Sequence, residues 1–371
     1  MTNIESLPDD VISEILVRIP AQDLFDSTRL VCRKWYNIIN TRNFAYSHLQ
    51  LSIPKILAVD IRTFMTMQNG QIETSKLSYE LGRCTILSSC NGLILLGFDR
   101  NSNSLGQYII TNPVTKQQFA LPKFVSREPM KYDYHALAYV ASPNSLALAY
   151  VASSRVYKVV CVSGLECAIM TVGVDTDWGR HVSTQHLTVE AKELLKWYLL
   201  KTRGFLHWVN NQISEYVLTM NVESETIMQI PGPCLRNKDY SLKYRYLVMG
   251  SYLSLLIGRG QFSWEWELWK MKPETGEWTK MPRIVLEHQE VLERLSFKFK
   301  GHGFPSTFLI PVCWSNSGEV LFFYVCSRVH YVKNWIFLAY NIRTREFDLW
   351  YPQDSSPTLF LDHRSSLVWL D

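Results

Sequence analysis

The sequence has no CxxC pair, no run of five basic residues, no Asn-x-Ser/Thr acceptor and no apolar stretch long enough to cross a bilayer. Each absence removes a class. Its eight cysteines, at 32, 84, 90, 161, 167, 234, 313 and 326, sit among apolar neighbours such as VVCVSG and PVCWS. That context suits reduced, buried thiols better than a disulfide framework or a zinc site. A formal charge of +4 without a clustered basic face gives nucleic acid no support as a partner. The most apolar stretch, 246 to 258, is too short and too polar to span a membrane. The amphipathic, acidic start does not read as a secretory signal, so the expected location is the cytoplasm, the nucleus or both. HExxH, GxSxG and GK[ST] are also missing, and His181 and His186 form only a weak metal spacing. No catalytic, metal or cofactor residue is therefore assigned.

What is present describes an ordinary globular chain. Of 371 residues, 47% are hydrophobic and 19% charged, enough for a large core and too apolar for disorder to dominate. Aromatics reach 13%, which suits strands and binding surfaces.

The most informative stretch runs from 7 to 39, LPDDVISEILVRIPAQDLFDSTRLVCRKWYNII. Val11, Ile12, Ile15, Leu16 and Ile19 follow the spacing of a helix with one apolar stripe, and Asp9, Asp10, Ser13, Glu14 and Arg18 line the other side. Pro8 and the paired aspartates suit a first turn, where N–H groups lack partners and the helix dipole favours negative charge. Pro20 ends that helix. Two more short helices, around 21 to 29 and 32 to 41, complete a unit close to the lower size limit for an independent core, so part of its apolar surface should be covered by something else.

These residues resemble the F-box family. Leu7, Pro8, Asp10, Ile15, Leu16, Ile19, Pro20, Leu24, Val31, Cys32, Arg33 and Trp35 occupy its pattern positions, with a mild departure at DSTRL. The resemblance implies a module that docks onto a Skp-type adaptor and, through it, a cullin and a RING protein. Adaptor contacts are expected from Leu7, Pro8, Val11, Ile12, Ile15, Leu16, Ile19, Pro20, Leu24, Val31, Cys32 and Trp35.

Beyond about residue 50 the helical period gives way to short strands broken by Asn, Gly, Pro and Ser. Four segments, 108 to 122, 216 to 231, 267 to 282 and 338 to 352, each read as strand, polar turn, strand and proline. Their prolines stand at 122, 231, 282 and 352, and the long first interval predicts a degraded copy in 156 to 182. Repeats of this size that each supply a few antiparallel strands predict a β-propeller. HRSSLVWL, 363 to 370, is expected to pair into the first blade and close the ring.

In order, Cys90 to Leu93 (CNGL), Asn112 to Pro122 (NPVT…LP), Tyr157 to Val160 (YKVV), Leu206 to Trp208 (LHW) and Trp269 to Trp278 resemble the plant F-box-associated, kelch-like domain. The likeness covers nearly the whole chain. The fold class is therefore α+β, a small three-helix F-box at 1–45 followed by a large all-β propeller at 46–371. The family resemblance implies a non-catalytic substrate receptor of an SCF ubiquitin ligase; a scaffold without a degradative role is the alternative, and an enzyme with its site in the propeller channel a third. Substrate contacts are expected at Trp178, Arg180, His181, Tyr240 and Tyr244, from long polar loops, and at Trp264, Trp266 and Trp269 in FSWEWELWKMK. Two copies of ALAYVAS, at 136 and 147, are expected to face each other across SPNS as a hairpin.

Overall fold

A computed structural model describes residues 7–59, 62–77, 84–98, 107–122, 144–163, 165–211, 215–233, 242–259, 264–286, 289–291, 293–294, 307–315, 318–327, 336–352 and 360–369. Four helices come first: α1 (Asp9–Leu16), α2 (Ala21–Asp26), α3 (Arg33–Ile39) and α4 (Arg42–Leu51). The first three match the expected helices, with a 3-10 turn at Thr28–Leu30 extending the second. Helix α4 was not expected. Thr41 starts it, its hydroxyl accepting the Phe44 N–H at 3.2 Å, a cap typically worth about 1 kcal/mol. It runs through residue 45, so the secondary structure has no break there.

The remaining elements form six four-stranded antiparallel sheets among the described residues. Blade 1 contains β1 (Lys55–Ala58), β2 (Thr63–Gln68) and β3 (Gln71–Lys76); blade 2, β4 (Thr85–Cys90), β5 (Leu93–Phe98), β6 (Gln107–Thr111) and β7 (Gln118–Ala120). Blade 3 is β8 (Asn144–Val151), β9 (Val156–Ser163), β10 (Glu166–Thr171) and β11 (Arg180–His181); blade 4 is β12 (Tyr198–Thr202), β13 (Phe205–Val209), β14 (Tyr216–Asn221) and β15 (Thr226–Pro231). Blade 5 is β16 (Leu242–Met249), β17 (Tyr252–Arg259), β18 (Glu265–Lys272) and β19 (Glu277–Val285). Blade 6 is β20 (Thr307–Ser315), β21 (Val320–Ser327), β22 (Ile336–Asn341) and β23 (Phe347–Trp350). A last strand, β24 (Phe360–His363), pairs with β1 and becomes the inner strand of blade 1. Inner strands β24, β4, β8, β12, β16 and β20 each touch the next, and β20 touches β24. The ring is a six-bladed β-propeller.

Closure differs from expectation in its register. The closing strand is Phe360–His363, and the expected 363–370 contributes only His363, because Leu367 and Val368 are drawn into a core beneath the helices. Blade 3 occupies the interval where a degraded repeat was expected. Blade 1 was missed altogether, because its strands carry none of the repeated turn residues. Of the two ALAYVAS copies, 136–142 lies outside the described residues, and 147–151 belongs to β8, which pairs with β9.

The repeated turns share one geometry. The side-chain oxygens of Asn112, Asn221 and Asn341 each accept two backbone N–H groups two and three residues ahead, at 2.9 to 3.4 Å. Four residues after each asparagine the backbone turns left-handed, at Lys116, Glu225 and Arg345; Gly276 holds the same place after Lys272. The prolines also have a partner between blades: Trp178 Nε1 donates to the Pro122 carbonyl and Trp278 Nε1 to the Pro231 carbonyl, both at 2.9 Å.

Gly258 pairs with Trp266, whose indole lies across the strand, and a Cβ on Gly258 would stand 2.7 Å from the ring. Gly258→Ala is expected to cost about 1–3 kcal/mol by overpacking. A urea midpoint unchanged from the parent would show that the ring has room to move.

Candidate functional site: an apolar face on the helical unit

The helices do not form a separate globule. Ile12, Leu16, Leu24, Ile39 and Phe44 join Leu93, Leu95, Ile110, Leu146 and Leu148 of blades 2 and 3 in one continuous core. Burying each such side chain is worth about 1.5–3 kcal/mol, so the propeller supplies the cover that so small a unit needs. Tyr46 on α4 packs against Tyr150 on β8, with ring centroids 5.7 Å apart.

The opposite side of the helices is a different surface. Helix α1 buries Ile12 and Leu16 inward, while Val11 and Ile15 remain 39% and 54% exposed. The turn before α3 leaves Leu30 and Val31 at 69% and 64%, and Tyr36 on α3 stands at 47%. Lys34 ties the two elements together, reaching Asp9 at 3.1 Å and the Leu7 carbonyl at 2.6 Å. Exposed apolar side chains grouped on one small unit and rimmed by charge mark an interaction surface.

The expected adaptor residues therefore divide. Pro8, Val11, Ile15, Pro20 and Val31 are exposed; Leu7, Ile19, Cys32 and Trp35 are half-buried; Ile12, Leu16 and Leu24 are sealed in the core and hold the unit together. Leu30 and Tyr36 were missed as surface residues. Their signal lay in the apolar pair beside a 3-10 turn, where helical periodicity fails to predict which side faces out.

The expected substrate residues are dispersed. Trp178 is buried on its Pro122 bond, Tyr244 is buried, and Trp266, 1% exposed, fills the space between blades 5 and 6 against Phe323. These three present no surface to a partner, a correction with a plain cause: large aromatics, on a strand or in a loop, go where apolar area is removed from water. Arg180 and His181 are exposed, Arg180 being held by Asp175 and Glu225 at 2.7 and 2.9 Å. Trp264 and Trp269 are half-buried, and the Lys280 ammonium lies 5.3 Å from the Trp269 ring. Tyr240 lies outside the described residues. His186 Nε2 donates to the Ile227 carbonyl at 2.7 Å, and His181 and His186 belong to no metal-ligating group among the described residues.

Near the channel, Ser89 Oγ stands 2.9 Å from His363 Nδ1, and Lys201 donates from blade 4 to the Ser89 carbonyl. Burial, with Lys201 and Lys55 nearby, lowers the His363 pKa to about 3. A sealed, neutral imidazole here serves ring closure. Burial pushes the Cys167 thiol up to about 12 and those of Cys161 and Cys313 well above the ordinary range, so these three are poor nucleophiles.

Comparison with known families agrees with this division. The sequence profile of the F-box domain matches residues 4–46, and that of the F-box associated beta propeller domain matches 49–356. The chain belongs to the F-box proteins with an F-box-associated β-propeller. Among relatives in Arabidopsis thaliana, F-box protein At5g49610 is 26% identical over 295 residues, spanning 75% of this chain and 79% of its own. Putative F-box only protein 15 is 25% identical, with 61% of this chain and 58% of its own covered. F-box protein At3g08750 reaches 35% identity, but over only 30% of each chain. The exposed face thus lies within the F-box of this protein, and the inner face is the one its propeller covers.

Proposed function

We propose that this F-box protein is a non-catalytic substrate receptor of an SCF-type ubiquitin ligase. The observation that carries the reading is the exposed set Val11, Ile15, Leu30, Val31 and Tyr36, on a unit whose other face is already occupied by the propeller. A Skp-type adaptor would cover that set, linking the chain to a cullin and a RING protein. The kelch-like propeller would hold a protein substrate. Ubiquitin transfer would then be a proximity effect, needing no nucleophile from this chain.

Within this reading residues 1–45 are the adaptor unit, stiffened by the rest of α4, and 46–371 the substrate unit. Exposed Arg180 and His181 and half-exposed Trp264 and Trp269 are the substrate contacts retained. Loops are the natural place for further contacts, since the strands are committed to packing between blades. The proposed location is the cytoplasm, the nucleus or both.

The test is affinity purification of the full chain with and without proteasome inhibition. An adaptor should appear in both samples, and a substrate should accumulate only with inhibition. Partners whose turnover is unchanged when the adaptor is depleted would instead support a scaffold without a degradative role.

A further inference from the structure

Residues Arg364–Trp369 follow the closing strand, add nothing to any sheet, and yet are held at nearly every step. Ser52, just past α4, donates its hydroxyl to the Ser365 carbonyl at 3.0 Å. Ser366 donates to the Asn91 carbonyl at 2.7 Å, in the turn between β4 and β5. The Asn112 amide, buried in the turn between β6 and β7, donates to the carbonyls of Ser366 and Val368 at 3.1 and 2.6 Å. Leu367 and Val368 are buried in the core that joins the F-box helices to blades 2 and 3. One short segment therefore touches the end of the helical unit and two blade turns at once.

The two turns are built for it. Gly92 has φ +86°, and a Cβ there would fall 2.0 Å from Ser366 Oγ, so the segment passes only over a residue without a side chain. Asn112 resembles Asn221 and Asn341 in capping its own turn, and its amide makes the further pair of bonds to the segment. These are the glycine and asparagine of the CNGL and NPVT motifs. Two cavities, of about 220 and 340 Å³, flank the segment at Trp369, between the helices and blades 2 and 3. The segment supplies polar ties across this junction, beside the hydrogen bond between Tyr46 on α4 and Tyr150 on β8.

We propose that Arg364–Trp369 is a strap that fixes the orientation of the F-box on the propeller, with Asn112 as its positioning residue. The strap sets the angle between the adaptor face and the propeller and contributes nothing to ring closure, which β24 completes. The inference stands on this geometry whether or not the protein directs ubiquitination.

Asn112→Asp separates the strap from the turn. The carboxylate still accepts from the Val114 and Thr115 N–H groups, but it donates to neither strap carbonyl when ionised and to one of them when protonated. Burial raises the pKa of such a carboxyl, so the variant should hold the strap at low pH and release it as pH rises. Hydrogen exchange of the full-length protein, corrected for intrinsic rates, reads this at residues 44–52. Expected is a loss of protection of about tenfold or more from pH 5.5 to 8 in the variant and none in the parent, with the propeller melting transition retained. A second variant, Leu367→Ser with Val368→Ser, should lose that protection at every pH. Protection equal to the parent in both variants overturns the proposal. So does loss of F-box and propeller in one cooperative step, because the segment would then be ordinary core.

Discussion

Replacing Leu30 and Val31 together with glutamate should abolish capture of a Skp-type adaptor while leaving the melting transition of the protein in place. Both side chains are mostly in water, and substitutions at such positions usually change stability by no more than about 0.5 kcal/mol. In a complex they would sit desolvated at the centre of an apolar contact, where truncation of an anchor costs about 2 kcal/mol or more and a buried unpaired charge costs further. Two such anchors predict a fall in affinity of at least about a thousandfold. Leu16→Ala supplies the contrast. Its side chain is sealed in the shared core, so it should weaken adaptor capture only together with stability, by about 2–5 kcal/mol. Binding by titration calorimetry, run beside thermal melts, separates the two. Undiminished affinity in the Leu30/Val31 variant would place the adaptor on another face.

Acid should destabilise this protein steeply. His207 is held between the hydroxyls of Thr202 and Thr219, at 2.9 and 3.0 Å, and His363 between Ser89 and the Phe64 ring. Burial lowers both to a pKa of about 3, His363 with help from Lys201 and Lys55. In the unfolded chain each would titrate near the ordinary value of about 6.5. Between those values the unfolded state binds the proton and the folded state does not. Stability is therefore complete above about pH 6.5 and falls as pH drops toward 3, by on the order of 4 kcal/mol for each histidine at the low end. Glu267 adds to the same trend, since the Lys280 hydrogen bond holds its carboxyl below the usual range. Urea midpoints at pH 7.5 and 4.5 should differ strongly in the parent. His207→Gln, which has no proton to gain, should flatten the difference; an equal slope in both proteins would remove His207 from the account.

How the two histidines come to be buried could not be read from the chain. LHW was legible as a strand, but a period-2 pattern says which residues share a face and not whether that face meets water or the next blade. The same ambiguity governs FSWEWELWKMK. Its alternation correctly groups Trp264 with Trp266 and Leu268, yet only the packing of blade 5 on blade 6 decides that Trp266 is sealed and Trp269 is not.

Local chemistry determined the rest. Proline and paired aspartates open α1, asparagine caps the repeated turns, and Pro122, Pro231 and Pro352 stand at or just past the ends of β7, β15 and β23, whereas Pro282 sits beside a bulge inside β19, which pairs on to Val285; each effect acts within a few residues, so the sequence by itself determines a helical F-box followed by antiparallel repeats. Contacts across hundreds of residues are another matter. That Phe360–His363 closes the ring on Lys55–Ala58, that Asn112 holds Ser366 and Val368, and that the inner stripe of α1 is covered by blades 2 and 3 were decided only by the tertiary structure. Hydrophobic burial has no direction, and the chain carries no local mark of which apolar surfaces will meet once the ring has closed.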